Sequence, residues 1–433
     1  MNPAVKPLAG MRQLYPDAMA VEEGIAAVIR RVALSYGFEE YDGPVIEPLE
    51  LFLAKSGSEL VMEQSYRFTD RGGREVVLRP EMTPTLARMI AGAPDTPMPA
   101  RWMSFPVCFR YERPQRGRVR EFRQFNCDIL GSDSLAADAE VIAVLDGIMR
   151  GLGAPPGSYS IRYSSRRLAS EVLTSLGLES VMHQQALAII DRKSKLPADE
   201  WRAWASERLG GAAEAVERFS CCSSLDDGWL AERAAPGGEL ERLREFGGLL
   251  GAAGVASASF DAGIARGLDY YTGIVFELLD TGGQNRRAIC GGGRYDNLVG
   301  IFGGKPVPGV GFGLGMLTLR LFLETLGLRV SGRSGRPDVF MAVFSPAELP
   351  WAVEAAEAIR SRGLSVLASL ECGKLSKQFR EASRRGASFT AVAGPEEASE
   401  RSITLKDMSG GGQMRLPLEK ALEFLETRLG GSL

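Results

Sequence analysis

Apolar and polar positions change period several times along the chain, and each change marks an element. In "DAMAVEEGIAAVIRRVALSYGF", Ile25, Val28, Ile29 and Val32 recur at three- and four-residue steps, the spacing of one helix face. Asp17 stands where a cap would open that helix, and Gly37 where a glycine would close it. "YDGPVIEPLELF" and "SYRFTDRGGREVVLRPE" then read as extended, with Gly72-Gly73 as a hairpin turn. "TPTLARMIAG" predicts a short helix, with Thr83 ahead of Pro84 as its start. Alternation returns in "CFRYERPQRGRVREFRQFNCDIL", which reads as two strands around a turn at Pro114 and Gly117. The helical "LAADAEVIAVLDGIMRGLG" follows.

From about 165 to 256 the text becomes rich in Ala, Leu, Glu and Arg and reads as an inserted helical region. Strand-like text resumes with "ARGLDYYTGIVFELLD", "AICGGGRYDNLVGIFG" and "VPGVGFGLGMLTLRLFLETLG", the last a glycine-rich strand feeding an apolar helix. "RVSGRSGRPD" has the composition of a linker. Beyond it the rhythm is strand, helix, strand, helix, strand, completed by "SITLKDM" and a last helix, which predicts a small α/β domain with a largely parallel sheet. The expected division is 1–327, a linker at 328–337, and 338–433.

Composition narrows the class. The 433 residues are 45% hydrophobic and 24% charged, as expected for two or three soluble domains. No stretch approaches the roughly 18 apolar residues of a membrane span, and the N-terminus lacks the core of a signal peptide, so a cytoplasmic protein without membrane contact is expected. Six cysteines without a CxxC pair, and a single histidine, His183, argue against a zinc site and against Ser–His or Cys–His nucleophiles. No bound structural metal is expected.

Charge changes the picture at one place. The net charge is −3, yet Cys108 to Leu130 holds Arg110, Arg113, Arg116, Arg118, Arg120 and Arg123. Guanidinium forks suit phosphate oxygens, so this hairpin suggests an anionic partner. Side chains alternate along a strand, which puts Arg110 and Glu112 on one face of the first strand. On the second, Gln124, Asn126 and Asp128 share a face, opposite Arg123, Phe125 and Cys127. If the two polar sets meet, one surface would grip a zwitterion and a phosphate. The same pattern is also that of an exposed sheet with its polar side outward. Glu81 and Thr83 lie beside Arg79 where a strand end meets a helix start, and Arg266, Asp269, Tyr270 and Tyr271 crowd one strand entry, with Gly273 allowing close backbone approach. "GGGRYD" could cradle a ligand with backbone amides. In the tail, Lys374, Lys377, Arg380 and Arg384 form a basic helix face that suits RNA phosphates or plain solvent, with Leu375, Phe379 and Ala382 on the buried side.

Taken together these segments resemble the class II aminoacyl-tRNA synthetases, and among them histidyl-tRNA synthetase, over nearly the whole chain. "GPVIEPLELF" is similar to motif 1, the dimer-forming region, and "FRYERPQRGRVREFRQ" to motif 2. "RGLDYYTGIVFE" and "GGGRYDNLV" resemble the two segments that set the histidine enzyme apart. The resemblance implies an α+β fold: an antiparallel-sheet catalytic core with a helical insertion, and a C-terminal α/β anticodon-binding domain. It implies a homodimer that joins L-histidine to tRNA(His) through a histidyl-adenylate, using ATP and Mg²⁺. By the same resemblance, Arg110 and Arg266 would flank the α-phosphate, and Arg110, Glu112 and Arg118 would hold ATP. Glu81, Thr83, Gln124 and Asp128 would hold the amino-acid end, with Tyr270 and Tyr271 around the imidazole. Arg113, Gln115, Arg116, Lys374 and Lys377 would meet tRNA.

Two departures stand out. The family usually has Glu where this chain has Asp128, one methylene shorter. Motif 3 usually places Glu-Arg after the glycine-rich strand, its arginine on the ATP γ-phosphate, where "GFGLGMLTL" has Leu317-Thr318. A charge-assisted hydrogen bond is worth roughly 1.5–3 kcal/mol, so its loss would weaken ATP use by about one to two decades. Arg320 falls on a different helix face, which leaves Arg118, Arg294 or Lys305 as substitutes. The gap also admits a non-charging paralogue, such as the histidine-binding regulatory subunit of ATP phosphoribosyltransferase. That subunit usually lacks the anticodon-binding domain.

Overall fold

The computed structural model describes residues 5–53, 63–193, 196–265, 270–285, 288–303, 305–330 and 335–430. The chain divides into two compact units, Met1–Gly332 and Arg333–Leu433. The first is built on a sheet whose strands are β1 (Glu39–Glu40), β5 (Ala100–Ser104), β7 (Glu121–Leu130), β12 (Gly309–Gly315), β11 (Cys290–Arg294), β10 (Ile274–Asp280), β8 (Tyr159–Ser165) and β9 (Ala258–Phe260), in that spatial order. β6 (Val107–Phe109) adds to the far end of β7. Only the edge pairs β1–β5 and β8–β9 are parallel. A smaller sheet orders β2 (Ile46–Pro48), β4 (Glu75–Leu78) and β3 (Tyr66–Thr69).

Side-chain alternation decides which face of the large sheet becomes core. On β7, Phe125, Cys127 and Ile129 are buried, and on β12 so are Val310, Phe312 and Leu314. They pack under the helices Pro16–Ser35 and Leu135–Gly151 through Ile25, Ile29, Val141 and Leu145. Each large apolar side chain buried there contributes about 1.5–3 kcal/mol. The opposite face, carrying Gln124, Asn126 and Asp128, is left for the cavity described below. Between β8 and β9 lie the helices of the insertion, from Arg166–Ser175 to Glu239–Ala252.

Several expectations are corrected. Asp17 sits in the first turn of its helix and does not cap it, because Pro16 takes the first helical position, where its missing N–H costs nothing. "LELFL" is a short helix, Leu49–Leu53, and not extended. "GGGR" is no loop but the central strand β11, paired on both sides by β10 and β12, so its backbone amides serve the ladders and cannot cradle a ligand. In the second unit, β14 (Val366–Ala368), β13 (Val339–Val343) and β15 (Phe389–Ala393) are parallel, while β16 (Ser402–Asp407) and β17 (Gln413–Pro417) run antiparallel. That sheet is therefore mixed. β16 follows β15 after only the helix Pro395–Glu400, and then returns along it.

Candidate functional site

The polar face of the large sheet floors a cavity of about 1240 Å³. What makes room for it is the alternation in "GVGFGLG". On β12, Gly309, Gly311, Gly313 and Gly315 share the cavity face, and a side chain stands over each. A Cβ on Gly311 would lie 1.9 Å from Asp128 Oδ1, and one on Gly313 would lie 1.6 Å from Gln124 Nε2. Gly309 is covered by the Tyr295 ring and Gly315 by Thr318 Oγ1. The glycines are flooring for functional side chains; any larger residue would displace them. β11 repeats the device in both directions: Gly293 lies under Tyr271 on the cavity side, while Gly292 admits Phe276 and Phe312 on the core side.

Of the carboxylates that line this cavity, two are each tied to a tyrosine. The Tyr270 hydroxyl donates to Glu81 Oε2 at 3.0 Å, and the Tyr295 hydroxyl donates to Asp128 Oδ1 at 2.6 Å. Burial, reinforced by the neighbouring carboxylate, pushes both tyrosine hydroxyls far above their ordinary range, so both remain donors. Asp128 is 2% exposed. Burial pushes its carboxyl up to about 7, against the opposing pull of the Tyr295 hydrogen bond. Its Oδ2, and Asn126 Oδ1 on the same face, have no hydrogen-bond partner among the described residues. Such atoms await a donor, because an unmet buried acceptor costs about 1–3 kcal/mol. Thr83 opens the helix Thr83–Ala91 at the cavity edge, and the rings of Tyr270 and Tyr271 lie 5.0 Å apart.

The arginine hairpin supplies the next wall, and its six cations divide three ways. Arg110 and Arg118 line the cavity. Arg110 Nε donates to Pro80 O at 3.0 Å with its guanidinium over Phe122, and Arg118 is ion-paired with Glu112. Arg120 and Arg123 are held in structural contacts, although Arg123 also borders the cavity. Arg120 donates to Ala9 O and Glu112 O and lies 4.1 Å over Tyr111, while Arg123 pairs with Glu23 at 2.5 Å. Arg113, Gln115 and Arg116 are exposed at the tip, where Gln115 and Arg118 bridge around Gly117 at φ +75°. Arg79, also flagged from sequence, is almost fully buried and braces the loop at Gly43 O (2.7 Å) and Val107 O (2.9 Å).

So Glu81, Thr83, Arg110, Glu112, Arg118, Gln124, Asp128, Tyr270 and Tyr271 all line one cavity. Arg266 and Asp269 lie outside the described residues. Lys374 and Lys377 belong to the second unit, exposed at the start of the helix Leu375–Arg385. Lys377 reaches Glu371 at 3.1 Å. The sequence reading missed Tyr295 as the partner of Asp128. The period-two glycines facing the period-two polar set on β7 were the signal that could have found it.

Motif 3 is clarified in part. Thr318 Oγ1 donates to Gly315 O at 2.9 Å and lines the cavity beside Leu317, so no cation stands there. Arg294 is not available as a substitute: buried on the core side, it is held by Asp138 at 2.5 Å, Asp296 at 3.1 Å and Ser132 O at 2.9 Å. Lys305 is exposed and does not line the cavity. Arg118 does, and the hairpin tip at Gly117 lies close to the Thr318 methyl group, which a Cβ on Gly117 would touch.

Comparison with known proteins is consistent with this geometry. A family model described as histidyl-tRNA synthetase matches residues 10–319, and one described as anticodon binding domain matches 338–428. The histidine–tRNA ligase of Thermoplasma volcanium is 37% identical over 432 residues, covering 98% of each chain. That of Opitutus terrae is 38% identical, covering 95% of this chain and 96% of the relative. Among solved structures, the histidyl-tRNA synthetase of Nostoc sp. PCC 7120 aligns with a TM-score of 0.82 at 27% identity, covering 98% of this chain and 99% of that one. A Bacillus halodurans protein described as an ATP phosphoribosyltransferase regulatory subunit/histidyl-tRNA synthetase shares the fold at 20% identity and a TM-score of 0.71, covering 84% of this chain and 92% of that one.

Proposed function

Because the chain belongs to the histidyl-tRNA synthetase family, we infer that it ligates histidine to tRNA(His) with ATP, through a histidyl-adenylate. The observation that carries the site assignment is the cavity itself: two tyrosine-tethered carboxylates and Gln124 on a glycine floor, walled by Arg110 and Arg118. The carboxylates and Gln124 suit the nitrogen groups of histidine. The arginines suit phosphates.

In this reading the histidine carboxylate attacks the α-phosphorus of ATP and pyrophosphate leaves. Arg110, held on Pro80 O and Phe122, would meet the charge that gathers on the phosphoryl oxygens. Arg118 would bind the outer phosphates across from Thr318, in place of the missing motif 3 arginine. The tRNA 3′-terminal hydroxyl then attacks the acyl carbon and AMP leaves. The substrate carboxylate is itself the nucleophile of the first step, so no histidine base is needed.

Mg²⁺ would enter with ATP. Such an ion is held mainly by phosphate oxygens and water, with one or two protein carboxylates. Glu112 and Glu277 are cavity-lining carboxylates that would each offer it an oxygen, and the ion would neutralise phosphate charge.

Dimerisation is part of the same proposal. Val45, Ile46, Leu53 and Phe68 are exposed apolar side chains on and beside the small sheet, a surface suited to a second copy. A cytoplasmic location fits six free cysteines, and no described helix is long and apolar enough to cross a membrane. The non-charging alternative keeps only the Leu317-Thr318 departure in its favour, against a C-terminal unit that matches an anticodon-binding model.

The test is ATP–pyrophosphate exchange on the purified chain with Mg²⁺. Exchange dependent on histidine, and absent with other amino acids, is the expected result. Histidine binding without exchange would move the assignment to the paralogue.

A further inference from the structure

The strap Tyr270–Gly273 separates two cavities. Its inner side faces the candidate site, and Tyr271 and Thr272 also line a second cleft, of about 1070 Å³, against the helical insertion. A wall with space on both sides is not fixed by packing alone. Its position also depends on polar contacts, and those from the insertion side come from one place. Three successive carbonyls of the strap accept hydrogen bonds from the first two residues of the insertion. Arg166 N–H donates to Gly273 O at 3.0 Å, Arg166 Nη1 to Tyr271 O at 3.4 Å, and Arg167 Nε to Thr272 O at 3.2 Å.

Arg167 does more than reach a carbonyl. Its Nη2 pairs with Asp296 Oδ2 at 3.0 Å, and the Thr272 hydroxyl donates to the same oxygen at 2.8 Å. Asp296 is held in turn by Arg294 at 3.1 Å, and Thr272 N–H donates to Arg294 O at 2.7 Å. The strap is thus clamped between β11 and the insertion, with Arg167 and Asp296 closing the clamp. Arg167 is 46% exposed, so its role is not to fill the core.

We propose that Arg167 is a positioning residue for the amino-acid pocket, and that the insertion sets the affinity for histidine by holding the Tyr270–Tyr271 strap through it. The proposal rests on the reading of this strap as a wall of the histidine site. A displaced strap would move Tyr270 from Glu81, while Arg110, Arg118 and the hairpin would keep their places. Histidine binding and ATP binding should therefore separate.

Histidine-dependent ATP–pyrophosphate exchange measures both. In Arg167→Gln, KM for histidine is expected to rise about tenfold, the effect of losing one charge-assisted hydrogen bond. KM for ATP and kcat should stay within about twofold. Thr272→Val, which removes the other bond to Asp296, should raise KM for histidine in the same direction. The double variant should be little worse than the weaker-binding single one, because both open the same clamp. Equal changes in both KM values, a fall in kcat alone, multiplying effects, or an unchanged Arg167→Gln enzyme would each overturn the proposal. Absence of exchange in the unaltered chain is a different failure: it would remove the functional reading, and this inference with it.

Discussion

Asp128 combines the two properties that a single residue can bring to this site, a shape and a proton. Its carboxyl is pushed up to about 7 by burial, whereas in the unfolded chain it would titrate near the ordinary carboxylate value of about 3.9. Between those two values the folded protein holds more protons than the unfolded one, so this group makes stability fall as pH rises through the window. Above about 7 the full penalty is present. Asp128→Asn removes the charge and keeps the shape. Its stability relative to the unaltered protein, followed as the thermal midpoint, should climb from pH 4 to pH 7 and level off above, the gain being on the order of a few kcal/mol at most. Histidine binding should weaken at every pH. A midpoint difference that is flat with pH would show that Asp128 does not carry the proton. The polar face of β7 was legible in the sequence, because alternation alone separates Gln124, Asn126 and Asp128 from Phe125 and Cys127. The pairing with Tyr295 was not, because the two stand 167 positions apart.

At the scale of an element, the two glycine strands give opposite expectations for the same substitution. Gly311→Ala places a methyl group on Asp128 and on Cys127 O. It should raise KM for histidine at least about tenfold, with a smaller effect on KM for ATP, as read by exchange kinetics. Gly292→Ala instead meets Gly311 O, the Phe276 ring and Phe312 Cβ on the core side. It should cost about 1–3 kcal/mol by denaturant unfolding and leave the KM values of the folded fraction near normal. Reversal of the two outcomes would mean that the faces of the sheet are misassigned. "GVGFGLG" was legible as a strand, but "GGGRYD" read as a loop. Glycine runs signal turns in isolation, and only the partners on both sides show that these glycines are needed for side chains crossing over them.

For the molecule as a whole, the proposed function has the two units share one macromolecular substrate. Lys374 and Lys377 are exposed on the second unit, far in sequence from the cavity residues of the first. Lys374→Ala with Lys377→Ala should raise KM for tRNA in aminoacylation about five- to tenfold, more steeply at low salt, while leaving histidine-dependent exchange unchanged. A parallel loss of exchange would show that these lysines act on the fold and not on RNA. The sequence by itself determined most of the order of elements, the polar face of β7 and the family, because periodicity, turn chemistry and motif order are local properties. Tertiary structure alone decided which arginines of the hairpin face the cavity, that Arg294 is consumed by Asp138, and that the insertion grips the strap at Tyr271, Thr272 and Gly273. Those outcomes depend on which distant groups compete for the same guanidinium or carbonyl. Local pattern shows what a side chain can bind, and the fold decides which partner reaches it first.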